Sequence, residues 1–412
     1  MADIPPTTYQ TKRFAIATFV YNSDSYVPGA LVLGYSLRKY NTGPIDLICI
    51  VCGDVSEEAK LVLSRVFDYV IDVDPITHEC DVSRWKRFRA NYDWIHSCFT
   101  KLHVFQLTCY ERVLLLDSDM IALRSCDDLF TLQIELPTGN LSGDSSSLCP
   151  TGTVHSRENV ALSLRHTYGI SGCTLLLHPS QDDFGGMMTD LHRQKPYGNT
   201  SFNAGPDEQL VTLYFLNKNK HWTHLGNEYA RIAWKDPSVL ELGQKLMDGE
   251  EAEAPRDAAT RPSKTFFQSS TISAPPAPSK PAKKWDKPQK SKKFSGKGEK
   301  MGSGDAEVSP LQPTCLVHFV TDKPFLPYAT DWPDFAIWRR DARELCALAN
   351  KTAKEGEAKL EVWFRVGSLK KEKVAPETLP EVSILNSDPQ RCVRLTTFLQ
   401  TLHLPYTPVS SS

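Results

Sequence analysis

The sequence predicts an α/β fold, a single Rossmann-like domain with a mostly parallel central sheet. Three observations predict it. Apolar strand-like runs alternate with helix-like ones from Phe14 to Val73, and such alternation builds strand–helix–strand units with right-handed crossovers. Val113-Leu114-Leu115-Leu116 is apolar without alternation, as in a strand covered on both faces. A second such run returns at Cys315 to Val320 after a long polar stretch, so one domain is interrupted and not two joined.

Taken in order, Phe14 to Val20 is an apolar strand, and Pro28-Gly29 opens a helix carrying Leu31, Leu33 and Leu37. Proline belongs in a first helical turn, where its missing N–H has no partner to lose. Ile45 to Cys52 is a second strand. Ser56 caps a helix with Ala59, Val62, Leu63, Val66 and Phe67 at helical spacing. Tyr69 to Val73 is a short third strand, and Ser97 to Tyr110 is helical in pattern. The first turn lacks the glycine-rich dinucleotide fingerprint, which weakens any NAD reading. Cys49 and Cys52 have zinc-like spacing but lie inside an apolar strand with no second pair, so packing is expected of them.

The central apolar run ends in Asp117-Ser118-Asp119. In open α/β sheets, ligands bind beyond the carboxyl ends of the strands. Two carboxylates this close repel unless a cation sits between them. A hard divalent ion such as Mn²⁺ or Mg²⁺ suits them, because it takes oxygen ligands and bridges to phosphate. On this stretch alone an acidic turn competes, since Asp and Ser are ordinary turn residues. Asp127-Asp128 reads as a helix cap.

Composition bounds the class. The net charge of −2 over 412 residues gives no global field for nucleic acid. No apolar run reaches membrane-spanning length. Met1 to Gln10 lacks the basic flank and apolar core of a secretion signal. Most of the 11 cysteines sit in apolar stretches, as reduced thiols do in the cytoplasm. Residues 246–313 are rich in Pro, Ser, Lys and Ala and cannot bury enough surface to offset their ordering entropy. A disordered basic insertion is expected there, either simply solvated or docking anionic lipid, RNA or an acidic partner. The expected divisions are a tail at 1–12, a catalytic domain at 13–245 and 314–342, the insertion, and an extension at 343–412. Segment 138–160 reads as a mobile surface loop.

Several blocks in order resemble the glycogenin-type nucleotide-sugar glycosyltransferases of family 8. They are Thr18 to Tyr21 through Tyr26, Gly29 to Leu37, Phe99 to Leu102, Val113 to Asp119 with Asp127 to Phe130, Ser171-Gly172 with Leu177 to Ser180, Asp207-Glu208-Gln209, and His318-Phe319 with Lys323-Pro324-Phe325. The resemblance implies a GT-A type domain. It implies Mn²⁺ (or Mg²⁺) on Asp117, Asp119 and His318, holding the diphosphate of a UDP-sugar. Lys101 and Lys323 match donor-site lysines. Phe19, Val20, Tyr21 and Tyr26 match the segment around uracil and ribose. Ser118, Ser171 and Gly172 complete the donor set, and Asp207 and Glu208 are the catalytic candidates. Members of this type retain anomeric configuration, so Asp207 is either a transient nucleophile or a group that orients the sugar. An N-cap of the following helix also fits it.

There are departures. Ile170 stands where the family has Asn or Asp, which removes a hydrogen-bonding group from the sugar pocket. The late block is one residue short, lacks its glycine and ends in Phe325. Asn203 or Ala204 replaces a further acidic residue. Tyr229 is the one tyrosine in the segment that is self-glucosylated in glycogenin. The resemblance therefore favours transfer of glucose or galactose to a separate glycan or glycoprotein. The cytoplasmic galactosyltransferases that cap a glycan on the SCF ubiquitin-ligase adaptor of protists act in that way. A self-glucosylating primer of glycogen and a catalytically silent binding module are the alternatives. The family pattern also allows a homodimer.

Overall fold

The computed structural model describes residues 14–81, 93–131, 161–166, 169–195, 197, 205–218, 220, 222–225, 229–249, 314–320, 323–325, 332–352, 360–364, 382, 384–385 and 387–401. The expected tail, the loop at 138–160, Asn203, Ala204 and nearly all of the basic insertion lie outside them.

The chain runs β1 (Phe14–Val20), α1 (Val27–Tyr40), β2 (Ile45–Cys52), α2 (Glu57–Leu63) and β3 (Tyr69–Val73), the order expected. A 3₁₀ segment, Cys98–Gln106, replaces the α-helix expected over Ser97 to Tyr110. β4 (Arg112–Leu116) and β5 (Met120–Ala122) follow. Next come β6 (Ala161–His166), β7 (Gly169–Leu177), α3 (Gln181–His192), α4 (Pro206–Asn217), β8 (Trp222–Leu225), β9 (Ala230–Ile232) and α5 (Pro237–Met247). The last elements are β10 (Leu316–His318), α6 (Pro333–Thr352), β11 (Cys392–Arg394) and α7 (Leu395–Thr401).

Eight strands form the main sheet in the order β11-β3-β2-β1-β4-β7-β6-β8. All pairs are parallel except β4–β7 and β7–β6. A small sheet, β5-β10-β9, stands beside it. The unbroken apolar runs are explained by two cores. Ile16 and Val20, Leu47, Cys49 and Val51, and Leu114 and Leu116 enter one. Their alternating neighbours Ala15, Ala17 and Phe19, Ile48, Ile50 and Cys52, and Val113 and Leu115 enter the other. A strand feeding two cores has no polar face to show. Cys49 and Cys52 thus pack in opposite cores and hold no metal between them.

Ser56 caps α2 as expected, its Oγ accepting from Ala59 N. The Asp127 carboxylate accepts from Thr42 and Gly43 N. It ties a loop and is not a ligand.

Two boundaries move. Helix α5 carries ordered structure past 245, to Gly249. Within the stretch read as a C-terminal extension, the described residues pack on the domain: α6 runs through 342 to Thr352, and β11 pairs parallel with β3 at the sheet edge. Leu395, Phe398 and Leu399 of α7 are buried in the second core. α6 is fastened to α1 by Lys39 Nζ, 2.7 Å from Glu344 and 3.2 Å from Asp341, and by the Tyr35 hydroxyl, which donates to Glu344. Among the described residues no helix is long and apolar enough to cross a membrane.

Candidate metal and donor-sugar site

The site forms where β4 ends and the small sheet begins. Asp117 N donates to Cys173 O of β7, which holds the turn against the main sheet. β5 and β10 pair antiparallel with His318 opposite Met120. That register sets His318 beside Asp119, the residue before Met120, and Phe319 N donates to Asp119 O at 3.1 Å. A residue distant by 199 positions in sequence (318 less 119) is thereby brought to the acidic pair.

His318 Nε2 lies 3.1 Å from Asp119 Oδ1 and 3.9 Å from Asp117 Oδ2. One ligand atom from each of the three side chains falls within 4.8 Å of the others. Asp119 Oδ1 is buried and accepts no well-formed hydrogen bond. Two carboxylates and an imidazole converging within 4.8 Å fit a divalent ion of the Mn²⁺ or Mg²⁺ kind.

Lysines balance part of the charge. Lys323 Nζ pairs with Asp119 Oδ2 and also donates to Val320 O at 2.9 Å. Burial pushes the Asp119 carboxyl up, but the Lys323 ammonium and His318 outweigh it and hold it well below the usual carboxylate range. Lys101 Nζ bridges Asp117 Oδ1 at 2.9 Å and Asp207 Oδ2 at 3.4 Å. Burial opposes its charge, yet the two carboxylates raise it well above the ordinary lysine value. Burial dominates at Asp117 and raises it, with Lys101 pulling the other way. Burial opposes the charge of His318, yet Asp119 raises it well above the ordinary imidazole value. His318 and the two lysines thus balance the three carboxylates, and a divalent ion on the triad would take the place of the imidazole proton.

Asp207 is buried near the start of α4. It sits against Gly172 of β7: a Cβ on that glycine would stand 3.2 Å from Asp207 Oδ2 and 3.0 Å from Glu208 Cγ. Glu208, expected beside Asp207 in the chemistry, is engaged elsewhere. Its Oε1 accepts from Gly172 N at 2.6 Å and from Ser171 Oγ at 3.4 Å, and its Oε2 accepts from Gly205 N at 2.8 Å. It buckles β7 to the start of α4. The helix cap is Gly205, not Asp207.

The segment matched to uracil and ribose lines the same end of β1. Phe19 stacks on Tyr21 at 5.4 Å, and Lys101 lies over the Phe19 ring. Burial raises the Tyr21 hydroxyl well above its ordinary value, so it stays protonated. Val20 is buried in the core. Tyr26 meets Phe325 edge-on at 5.3 Å. Gly29 lets α1 approach closely: a Cβ there would stand 2.5 Å from Ser118 O. Ser118 is itself buried. Ile170 is buried, and its N–H donates to Thr212 Oγ1. It lines an apolar cavity with Leu115, Leu175 and Val211 behind Lys101 and Asp207.

One neighbour of the site was absent from the sequence-based expectations. Cys173 lies close enough to the His318 ring to help raise it, and its thiol contacts Ser171 Oγ at 3.1 Å. Only its place two residues after Ser171, on a strand pairing with β4, could have pointed to it.

Residues 18–142 match the family model described as Glycosyl transferase family 8. An uncharacterized protein, R707, of Acanthamoeba polyphaga mimivirus is 28% identical over 224 residues, 52% of this chain and 71% of that one. Human Glycogenin-2 is 35% identical over 259 residues, 56% of this chain and 46% of its own length. Less than half of that relative is therefore spanned. The solved galactosyltransferase LgtC, crystallised with donor and acceptor sugar analogs, aligns at 13% identity over 80% of this chain and 95% of its own, with a TM-score of 0.42. Residues 18–142 are thus similar to family 8 glycosyltransferases, and the chain is similar in part to glycogenins.

Proposed function

We propose that the chain is a divalent-metal-dependent, retaining hexosyltransferase that moves glucose or galactose from a UDP-sugar to a separate glycan or glycoprotein acceptor. The observation that carries this reading is the convergence of Asp117, Asp119 and His318, with Lys101 joining that group to Asp207.

Asp117, Asp119 and His318 would hold Mn²⁺ or Mg²⁺, and the bound ion would supply Lewis-acid stabilisation of the charge on the departing UDP. Lys323 keeps Asp119 ionised and adds positive charge beside the diphosphate. Lys101 fixes the direction of Asp207 through their ion pair. Asp207 then serves the sugar, either as a transient nucleophile or by orienting the ring. Glu208 maintains the Gly172–Asp207 seat. Phe19, Tyr21 and Tyr26 offer aromatic surface to the base.

A separate acceptor is favoured over self-glucosylation by Tyr229. It is 5% exposed, its hydroxyl lies 3.4 Å from Asp128 Oδ2, and Arg124 covers its ring. A tyrosine packed in this way does not reach a donor site. The narrower resemblance, to the galactosyltransferase acting on the SCF adaptor, draws support from the same residue. The intact charged set argues against a silent binding module. A cytoplasmic location draws support from the cysteines, since all ten among the described residues are free thiols.

The test is a panel of UDP-sugars with Mn²⁺, followed by UDP release without acceptor. Slow metal-dependent hydrolysis of UDP-glucose or UDP-galactose is expected. A protein that hydrolyses none and binds none is not a transferase of this kind.

A further inference from the structure

Three apolar side chains stand exposed around the end of the small sheet that carries His318. Trp234 is 51% exposed, Val320 42% and Trp332 55%. β9 and β10 are parallel, with Ile232 paired to His318. Trp234 and Val320 each lie two residues past that pair, so both leave the sheet at the end where the metal triad forms. Ile232 and His318 stand about one strand spacing, roughly 5 Å, apart, and the chain turns at once into a 3₁₀ segment, Ala233–Lys235. Trp234 is therefore held beside the triad's end of the sheet and is not carried away from it by extended chain.

The strip has a firm base. Phe319 packs edge-on against Phe335 at 5.8 Å, and Phe335 N donates to Trp332 O. That contact carries Trp332, at the entry to α6, to the same end. The Lys235 ammonium lies 4.8 Å from the centre of the Trp234 ring and restrains it, while half of the side chain stays open to solvent. Clustered exposed apolar groups of this size mark a contact surface, whereas singly scattered ones do not.

We infer that Trp234, flanked by Val320 and Trp332, is the acceptor subsite, and that its occupant is a glycan with a pyranose ring laid on the indole. This rests on the transferase reading above. The C–H face of a pyranose is apolar and weakly positive, and the indole face is negative. A ring stacked there buries its C–H face and leaves its hydroxyls at the edge, free to point toward the donor. Tyr229, in the same segment, is packed inward and leaves that approach open to an outside acceptor.

The experiment compares wild type with Trp234→Ala and Trp234→Phe. Maltose, cellobiose and lactose, free and as aryl glycosides, are titrated with and without UDP and Mn²⁺ while tryptophan emission is followed. The same sugars serve as acceptors in steady-state transfer. At least one sugar is expected to shift the wild-type emission. Trp234→Ala should lose that shift and raise the acceptor KM about tenfold, equivalent to about 1.4 kcal/mol, and Trp234→Phe should recover most of both. An emission unmoved by every sugar overturns the proposal. So does a Trp234→Ala response equal to wild type, or a Phe variant as poor as the Ala variant. Loss of a dimer in Trp234→Ala with an unaltered sugar response would assign the strip to a second copy of the chain. Failure of the donor reading stays distinguishable, because it appears as absent UDP-sugar hydrolysis while the sugar titration still decides the subsite.

Discussion

Replacing Glu208 with glutamine separates positioning from chemistry at this site. The carboxylate accepts from Gly172 N at 2.6 Å with one oxygen and from Gly205 N at 2.8 Å with the other. A glutamine can keep one of these bonds through its carbonyl. Its amide NH₂ then faces the other backbone N–H, donor against donor. A hydrogen bond to a charged group contributes about 1.5–3 kcal/mol, and an orphaned buried donor costs about 1–3 kcal/mol. A loss of about 2 kcal/mol, set against an unfolding entropy of about 2.1 cal/mol/K per residue, should lower Tm by about 3 °C in a domain of this size. Donor hydrolysis below the transition should persist within a few fold, because the two oxygens hold Gly172 N, Ser171 Oγ and Gly205 N in place. Thermal unfolding and UDP release, measured on one preparation, decide it. An unchanged Tm with abolished turnover would refute the reasoning and return Glu208 to the chemistry.

Four measurements probe other parts of the fold. Deleting 387–412 removes β11 and α7, including Leu395, Phe398 and Leu399, which are at most 8% exposed. At about 1.5–3 kcal/mol per buried side chain, this should exceed much of a typical 5–15 kcal/mol margin, so aggregation is expected. A soluble truncation with wild-type Tm would contradict the placement of β11. Tyr229→Phe should leave donor hydrolysis and intact mass unchanged after incubation with UDP-glucose or UDP-galactose. A ladder of added hexoses that vanishes in this variant would make the chain self-glucosylating. Burial pushes the thiols of Cys52 and Cys80 up to about 12 and that of Cys392 up to about 11. Their contribution is whole below the unfolded value of about 8.5 and falls as pH rises, by up to about 1.4 kcal/mol per unit per thiol. Tm should therefore decline from pH 9 to 10.5, less steeply in Cys392→Ala; a flat profile would contradict this. At pH 8 the same thiols should alkylate slowly until the protein is unfolded, and rapid labelling of the native protein would count against their burial.

What could be read from sequence follows from how local each signal is. Val113 to Leu116 announced a doubly covered strand because both faces enter apolar cores, and Asp117 and Asp119 were legible as its polar end. His318 is different: a single histidine after an apolar run is mute, and only the order of the family blocks singled it out. The register of β10 on β5 then supplies the physical reason. Lys323 was matched to a diphosphate lysine and Lys101 to a basic donor-site residue; their ion pairs, Lys323 with Asp119 and Lys101 with Asp117 and Asp207, were not legible before the fold joined them. The hold of Glu208, a catalytic candidate, on Gly172 and Gly205 was not legible, because those partners meet only after β7 and α4 pack. β11 escaped notice because Cys392-Val393-Arg394 is too short to show a period. The exposure of Trp234 is not legible in the sequence, since a tryptophan beside apolar residues carries no mark of it.

The central claim is that Asp117, Asp119 and His318 bind a divalent ion together with a UDP diphosphate. The most direct measurement is titration of Mn²⁺ followed by its electron paramagnetic resonance signal, with and without UDP, in wild type and Asp119→Ala. The account predicts that free Mn²⁺ signal is lost on binding to wild type and that UDP strengthens this binding. Asp119→Ala should weaken it by at least two orders of magnitude, about 2.7 kcal/mol, while keeping a folded circular dichroism spectrum. Equal Mn²⁺ binding by a folded Asp119→Ala protein, or wild-type binding indifferent to UDP, would contradict the account.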